Sequence, residues 1–224
     1  MTMTRTLRKS SAWVAFVLCP LILASARGAE PANVSAEEAM QRLKDGNERF
    51  AQGKATHERQ QADRRAEVAK GQKPLAVIVC CSDSRVGPEI IFDQGLGDIF
   101  VVRTAGNVVD DVGLGSIEYA VEHFGTPLLV VLGHNRCGAV SAAVSGGELH
   151  GHVRAVVAAI QPAVEAIKGQ PGDPVENAVR ANVRAIVKRL KSAAPILPAR
   201  IKAGKLKIVG ACYNLDSGRV DVVK

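Results

Sequence analysis

The residues best equipped to do chemistry in this 224-residue chain are Cys81, His134 and Cys137. Two thiolates and an imidazole form a soft donor set suited to tetrahedral zinc, and three protein ligands leave one position over, the arrangement of a catalytic site. His134 and Cys137 stand three residues apart in the glycine-flanked stretch Gly133-His134-Asn135-Arg136-Cys137-Gly138, so one turn can aim both at a single ion. Cys81 must then arrive from a neighbouring segment. Taken singly, a cysteine is more often a small buried apolar residue and a histidine a hydrogen-bonded loop residue. Convergence of all three is what decides for a metal, and that depends on the fold. Asp83 is a further donor, but Arg85 is placed to take its carboxylate in a charge-assisted pair that holds it off the metal. The residues alone leave both arrangements open, beside the plainer alternative of a surface ion pair worth about 0–1 kcal/mol.

The elements that must position these residues follow from hydrophobic pattern. Short apolar runs at Leu75–Cys80, Asp98–Arg103 and Pro127–Leu132 alternate with helical patterns near Pro88–Gln94 and Leu114–Phe124. Strand, helix, strand, helix, strand in that order predicts a parallel sheet covered on both faces, with right-handed crossovers. Beyond Cys137 come helical patterns near Ala139–Val144, at His150–Ile167, at Pro174–Ser192 and near Pro198–Ala203. Two strands close the chain, Leu206–Tyr213 and Arg219–Val223, joined as a hairpin across Asn214–Gly218. Ahead of the sheet, Ser35-Ala36-Glu37-Glu38 reads as a capping box before Met40, Leu43 and Phe50 at helical spacing, and the polar stretch His57–Lys70 also reads as helical. The fold class expected is α/β: a central, mostly parallel β-sheet with an antiparallel edge strand, flanked by helices, plus an N-terminal helical arm. Cys81 and the His134–Cys137 turn then sit just past the carboxyl ends of two strands, where open α/β sheets bind ligands.

Composition narrows the function classes. With 47% hydrophobic and 23% charged residues the chain is ordinary globular protein, neither disordered nor fibrous. It carries five Phe, two Tyr and the single Trp13, too few aromatics for a base-stacking module. It holds no run of five or more Lys or Arg, so a nucleic-acid partner is not expected. Residues 1–26 read as a cleavable secretory leader: Arg5, Arg8 and Lys9 precede the apolar run Ala12 to Ala24, and the small residues Ala24-Ser25-Ala26 follow. That run is about 13 residues with Pro20 inside, short of the ~20 a spanning helix needs, so no stable membrane anchor is expected. Cys19 follows the bulky Leu18, which does not suit lipid attachment. Residues 27–224 are then a single domain, periplasmic or secreted, and loss of the three leader cations takes the formal charge from +7 to +4. In an oxidising compartment Cys80, Cys81, Cys137 and Cys212 could make two disulfides. Adjacent Cys80 and Cys81 would project to opposite faces of a strand, however, so metal ligation is the stronger reading. Cys80 and Cys212 are expected as buried free thiols, with a disulfide between them as the alternative.

The run C-S-D-S-R-V at Cys81–Val86, followed by G-H-x-x-C-G at Gly133–Gly138, resembles the β-class carbonic anhydrases. F-V-V-R-T-A-G-N at Phe100–Asn107 and I-E-Y-A-V at Ile117–Val121 agree, and the likeness runs from Val34 to the C-terminus. It implies a zinc lyase interconverting carbon dioxide and bicarbonate, with Cys81, His134 and Cys137 as ligands and the Asp83–Arg85 dyad orienting the reactive water. Zinc lowers the pKa of its water from about 15.7 toward neutrality, supplying the hydroxide that attacks carbon dioxide. The likeness also implies a homodimer or homotetramer, the N-terminal helices embracing the partner. The alternatives on this scaffold are hydrolysis of carbonyl sulfide or carbon disulfide, and a non-catalytic zinc- or bicarbonate-binding protein in which Asp83 closes the metal.

Secondary positions are less determined. Val86, Ile91, Phe92 and Leu114 suit a dry substrate wall and equally the core, and His150 or His152 suits proton transfer or a plain surface position. Some bacterial members of the family carry a non-catalytic bicarbonate site built on an arginine, a tyrosine and a tryptophan three residues before the first zinc cysteine. Arg103 matches the arginine, but Ile78 stands at the tryptophan position, so no such regulatory site is expected.

Overall fold

The computed structural model describes residues 34–223. The leader expected at 1–26, with Trp13 and Cys19, lies outside the described residues.

The apolar runs form five strands, β1 (Ala76–Cys81), β2 (Ile99–Thr104), β3 (Leu128–His134), β4 (Lys207–Tyr213) and β5 (Val220–Val223), in one sheet of order β2-β1-β3-β4-β5. The first four in that order are parallel, and β5 pairs antiparallel with β4 at the edge. Every residue of β1 and β3 is buried, which explains why both read as continuous apolar runs. From β1 the chain builds β2 on one side and then crosses to place β3 on the other. That topological switch point, at the carboxyl ends of β1 and β3, is where such sheets open a crevice.

Eight helices accompany the sheet among the described residues: α1 (Ala36–Ala51), α2 (Ala62–Val68), α3 (Pro88–Ile91), α4 (Asp111–His123), α5 (Gly138–Ser145), α6 (Val153–Glu165), α7 (Pro174–Ser192) and α8 (Ile196–Lys202). On one face Val77, Val79, Leu129 and Val131 pack with Ile117 of α4, Ile160 of α6 and Val183 of α7. On the other, Ile78, Leu128, Val130 and Leu132 pack with Leu43 of α1 and with Ile91 and Phe92. Asp173 caps α7 by accepting from the Val175 and Glu176 amides at 2.7 and 3.2 Å, ahead of Pro174 in the first turn. A Cβ at Gly133 or Gly210 would stand 2.7 Å from a Val183 methyl, so glycine at both positions is what lets α7 lie close on β3 and β4.

The helical arm lies against the sheet of its own chain. Ser35 caps α1 through the Glu38 amide at 3.1 Å, and Ala39 and Leu43 are buried. Asn47 of α1 donates to the Ile91 and Gly218 carbonyls and accepts from the Val220 amide, stitching the helix to α3 and to the hairpin.

Several sequence expectations shift. Helix over His57–Lys70 contracts to α2, because His57 and Arg59 adopt φ of 53° and 60° and the Thr56 and His57 amides are taken by Asp93. Asp98 falls before β2, where it accepts from Arg59, Arg64 and the Gly95 amide. α4 begins earlier than Leu114, since Asp110 caps it through the Gly113 amide at 2.7 Å. α6 begins at Val153 rather than His150, beyond the positive-φ glycines 146, 147 and 151. β1 and β3 run on through Cys81 and His134, because Cys81 pairs with Thr104 and His134 with Tyr213, so these two residues end their strands rather than follow them.

The disulfide alternative is also settled by the pleat. Cys80 belongs to the α1 face and Cys212 to the opposite one, and Cys80, Cys81, Cys137 and Cys212 are all free.

Candidate metal centre

The sheet delivers three donors to one place. Cys81 ends β1, His134 ends the adjacent β3, and Cys137 follows after a tight turn in which Arg136 takes a φ of 52°. One donor atom from each lies within 4.8 Å of the others, and all three residues are buried. Cys81 Sγ and Cys137 Sγ are 3.9 Å apart. Two sulfurs at ~2.3 Å from a tetrahedral zinc would be separated by about 3.8 Å, so the spacing fits that ion.

Histidine orientation supports the same reading. His134 Nδ1 lies 3.0 Å from the Asn135 carbonyl, and a carbonyl can only accept, so Nδ1 carries the hydrogen. Nε2 is thereby left with its lone pair, and it is a buried nitrogen with no hydrogen-bond partner among the described residues. A buried polar atom without a partner costs free energy, and a metal at that position removes the cost.

The two thiols are placed for one of the pair to ionise, and peptide groups assist. Cys81 Sγ lies against Cys137 Sγ and accepts from the Gly106 amide at 3.3 Å and from the Asp83 amide at 3.4 Å, and these contacts lower its pKa, the Cys137 contact contributing most. Cys137 is the N-cap of α5; its partnership with Cys81 and its burial raise its pKa, while the Val140 and Ala139 amides pull it down. Cys80 and Cys212 have no such donors, and burial pushes both up to about 12, the state of inert core thiols.

Asp83 stands beside the donors rather than among them. Arg85 donates to it through Nε at 2.9 Å and Nη2 at 2.6 Å, and the Arg85 amide adds a third bond at 3.0 Å. The guanidinium, more than any other neighbour, holds the Asp83 carboxyl well below the usual carboxylate range. Asp83 Oδ2 is 3.9 Å from His134 Nε2, so the ionised oxygen faces the donor set.

Secondary positions sort by sheet face. Val86, Ile91 and Phe92 are core on the α1 side, across the sheet from Cys81. Leu114 is half-buried and packs on the Cys81 side, while His150 and His152 are exposed. Ile78 is buried on the α1 side. Three residues near the site were not singled out for it by the motif. Arg103 donates to the Cys81 carbonyl at 3.0 Å and the Asp83 carbonyl at 2.7 Å, bracing the turn that carries both. Gly106 supplies the amide to Cys81, and Asn182 donates to the Gly106 carbonyl at 2.9 Å. A cation near the end of an apolar strand and an asparagine inside an apolar helical stripe were the available signals.

Comparison with known proteins agrees with this geometry. The family model described as carbonic anhydrase matches residues 76–220. Carbonic anhydrase 2 of Mycobacterium tuberculosis is 49% identical over 191 residues, covering 84% of this chain and 92% of that one. The chain belongs to the β-carbonic anhydrase family. Among solved structures, the β-carbonic anhydrase CcaA superposes with a TM-score of 0.66 at 28% identity, covering 83% of this chain and 95% of that one. Two tetrameric β-carbonic anhydrases from the ascomycete Sordaria macrospora are represented at a TM-score of 0.66 and 27% identity, over 80% of this chain and 93% of the matched one. The family's reaction is the reversible hydration of carbon dioxide and its cofactor is zinc, and this chain places a Cys-His-Cys donor set where that cofactor binds.

Proposed function

We propose that Cys81, His134 and Cys137 hold the zinc ion and that Asp83 and Arg85 serve turnover of carbon dioxide. The observation that carries this reading is the juxtaposition of a partnerless, buried His134 Nε2 with two thiols and, 3.9 Å away, an arginine-locked carboxylate. When bound, zinc supplies a Lewis acid that brings the pKa of a coordinated water to about 7. The chain's own residues do the rest. Asp83 stays ionised and accepts the hydrogen bond of the attacking water, fixing its free lone pair toward the substrate carbon. Arg85 occupies both Asp83 oxygens, so the carboxylate is oriented and kept off the donor set, which favours the open arrangement over Asp83 as a fourth ligand. Asn135 fixes the His134 tautomer and Arg103 fixes the turn that carries Cys81 and Asp83.

The working unit in this reading is an exported homodimer or homotetramer. Export rests on the leader pattern of residues 1–26. Assembly rests on the outer edge of β2, which has no strand partner among the described residues, and on the exposed Val112 and Tyr119 of the neighbouring α4, a combination that suits a second copy. No helix among the described residues is long and apolar enough to cross a membrane.

Asp83→Asn tests the assignment. It is expected to bind zinc as the parent does and to lose turnover by roughly 100-fold or more. Full activity in that variant would remove Asp83 from the mechanism.

A further inference from the structure

α7 turns an apolar stripe toward the core, Ala178, Val179, Val183, Ile186 and Leu190, and one polar residue sits in the middle of it, the buried Asn182. An amide in such a place costs desolvation free energy unless its hydrogen bonds are made. Asn182 Nδ2 makes one with the Gly106 carbonyl at 2.9 Å. Gly106, φ 64°, is one of two left-handed residues of the 3-10 turn Ala105–Asn107 that follows β2, and a Cβ there would stand 2.6 Å from Ile160 Cδ1 of α6. The Gly106 Cα is therefore packed closely against α6 and α5, while the tilt of the peptide planes on either side of it is set by their hydrogen bonds.

The same Gly106 donates its own amide to Cys81 Sγ at 3.3 Å. The other amide on that sulfur belongs to Asp83, two residues further along the chain, and follows Cys81 wherever it goes. Gly106 reaches the sulfur from a different strand, so the aim of its N–H depends on what holds the turn. An apolar residue at position 182 would leave the Gly106 carbonyl buried without its partner and let the Gly106–Asn107 peptide tilt to find another, a rotation passed through the Gly106 Cα to the Ala105–Gly106 peptide that carries the N–H.

We propose that Asn182 is a positioning residue for the metal: by holding the Gly106 turn it aims a backbone amide at Cys81 Sγ, orienting the thiolate and setting how tightly the centre holds zinc. Hydrogen bonds to a ligand's far side fix its orientation and tune its donor strength, and their loss typically weakens metal binding by about 10–100-fold. The inference rests on Cys81 being a zinc ligand.

The test uses the full chain and reads the metal rather than turnover. Zinc affinity is measured by competition with a chromophoric chelator, and the cobalt-substituted protein is measured for its thiolate-to-metal charge-transfer bands, in the parent, Asn182→Leu and Asn182→Ala. Both variants are expected to keep the parent's far-ultraviolet circular dichroism, to bind zinc roughly 10–100-fold more weakly, and to show displaced or weakened charge-transfer bands. Asn182→Ala, which leaves room at the carbonyl, serves if the leucine variant does not fold. A folded variant of either kind with the parent's zinc affinity and an unchanged cobalt spectrum would reduce Asn182 to a packing residue and overturn the proposal. A parent whose cobalt form lacks thiolate bands would overturn the ligand assignment along with it, so the two failures are distinguishable.

Discussion

Arg85 grips both oxygens of Asp83, at 2.9 and 2.6 Å, and the Oδ2 it holds lies 3.9 Å from His134 Nε2. A two-point grip fixes the plane of the carboxylate as well as its charge, which a lysine's single point charge does not do. The pair is half open to solvent on the arginine side, so its value lies in orientation more than in stability.

Arg85→Met is therefore expected to leave the fold and zinc content intact while turnover falls by roughly 100-fold, the cost of misplacing a catalytic group by about 1 Å. Arg85→Lys should recover only part of it. Metal analysis beside stopped-flow rates checks this, and an Arg85→Met variant with parental turnover would contradict the role.

Asp93 gives a separate, pH-dependent expectation. Its side chain is 0% exposed and accepts from the Thr56 and His57 amides, Thr56 Oγ1 and Arg49. Burial alone would raise its pKa, but these donors outweigh burial and hold the carboxyl well below the usual range. A lowered folded-state pKa means the stabilisation is complete above the ordinary aspartate value of about 3.9 and is lost as pH falls through the lower folded value. Asp93→Asn should cost about 1.5–3 kcal/mol at pH 7. The gap from the parent should narrow below about pH 4 in thermal melts. A gap that stays constant into acid would contradict this.

Gly46→Ala probes the docking of α1. A Cβ there would lie 1.8 Å from the Phe92 carbonyl oxygen, backbone that cannot swing aside. The variant should lose at least about 1–3 kcal/mol, seen as a fall in Tm. An unchanged Tm would mean that α1 does not bear on α3 in this way.

The thiols give a count. Cys80 and Cys212 lie on opposite faces of the sheet, so the denatured, metal-stripped protein without its leader should titrate Cys80, Cys81, Cys137 and Cys212 as free under non-reducing conditions. A shortfall of two would mean a disulfide that this fold does not permit.

The sheet and the metal donors were legible because their signals are local. β1 and β3 are continuous apolar runs, α7 opens with Asp173 and Pro174, and Cys81 and His134 end adjacent strands with Cys137 one tight turn further on, where a parallel sheet gathers ligands. The segment around His57 was not legible, because its left-handed residues are imposed by Asp93 and Asp98 from across the chain. Asp110 was overlooked as a cap because the apolar pattern of α4 starts later than the helix does. Arg103, Gly106 and Asn182 are tied to Cys81 or to its neighbours through backbone carbonyls and amides, and such contacts leave no spacing in a sequence to read.

The most direct test of the centre is stopped-flow hydration of carbon dioxide, followed with a pH indicator, by the zinc-loaded protein and by Cys81→Ser prepared in parallel. The expected result is rapid turnover by the parent, abolished by a chelator and restored by zinc, with zinc and turnover lost together in Cys81→Ser. A parent that holds stoichiometric zinc without turnover, or a Cys81→Ser variant that keeps both, would contradict the assignment.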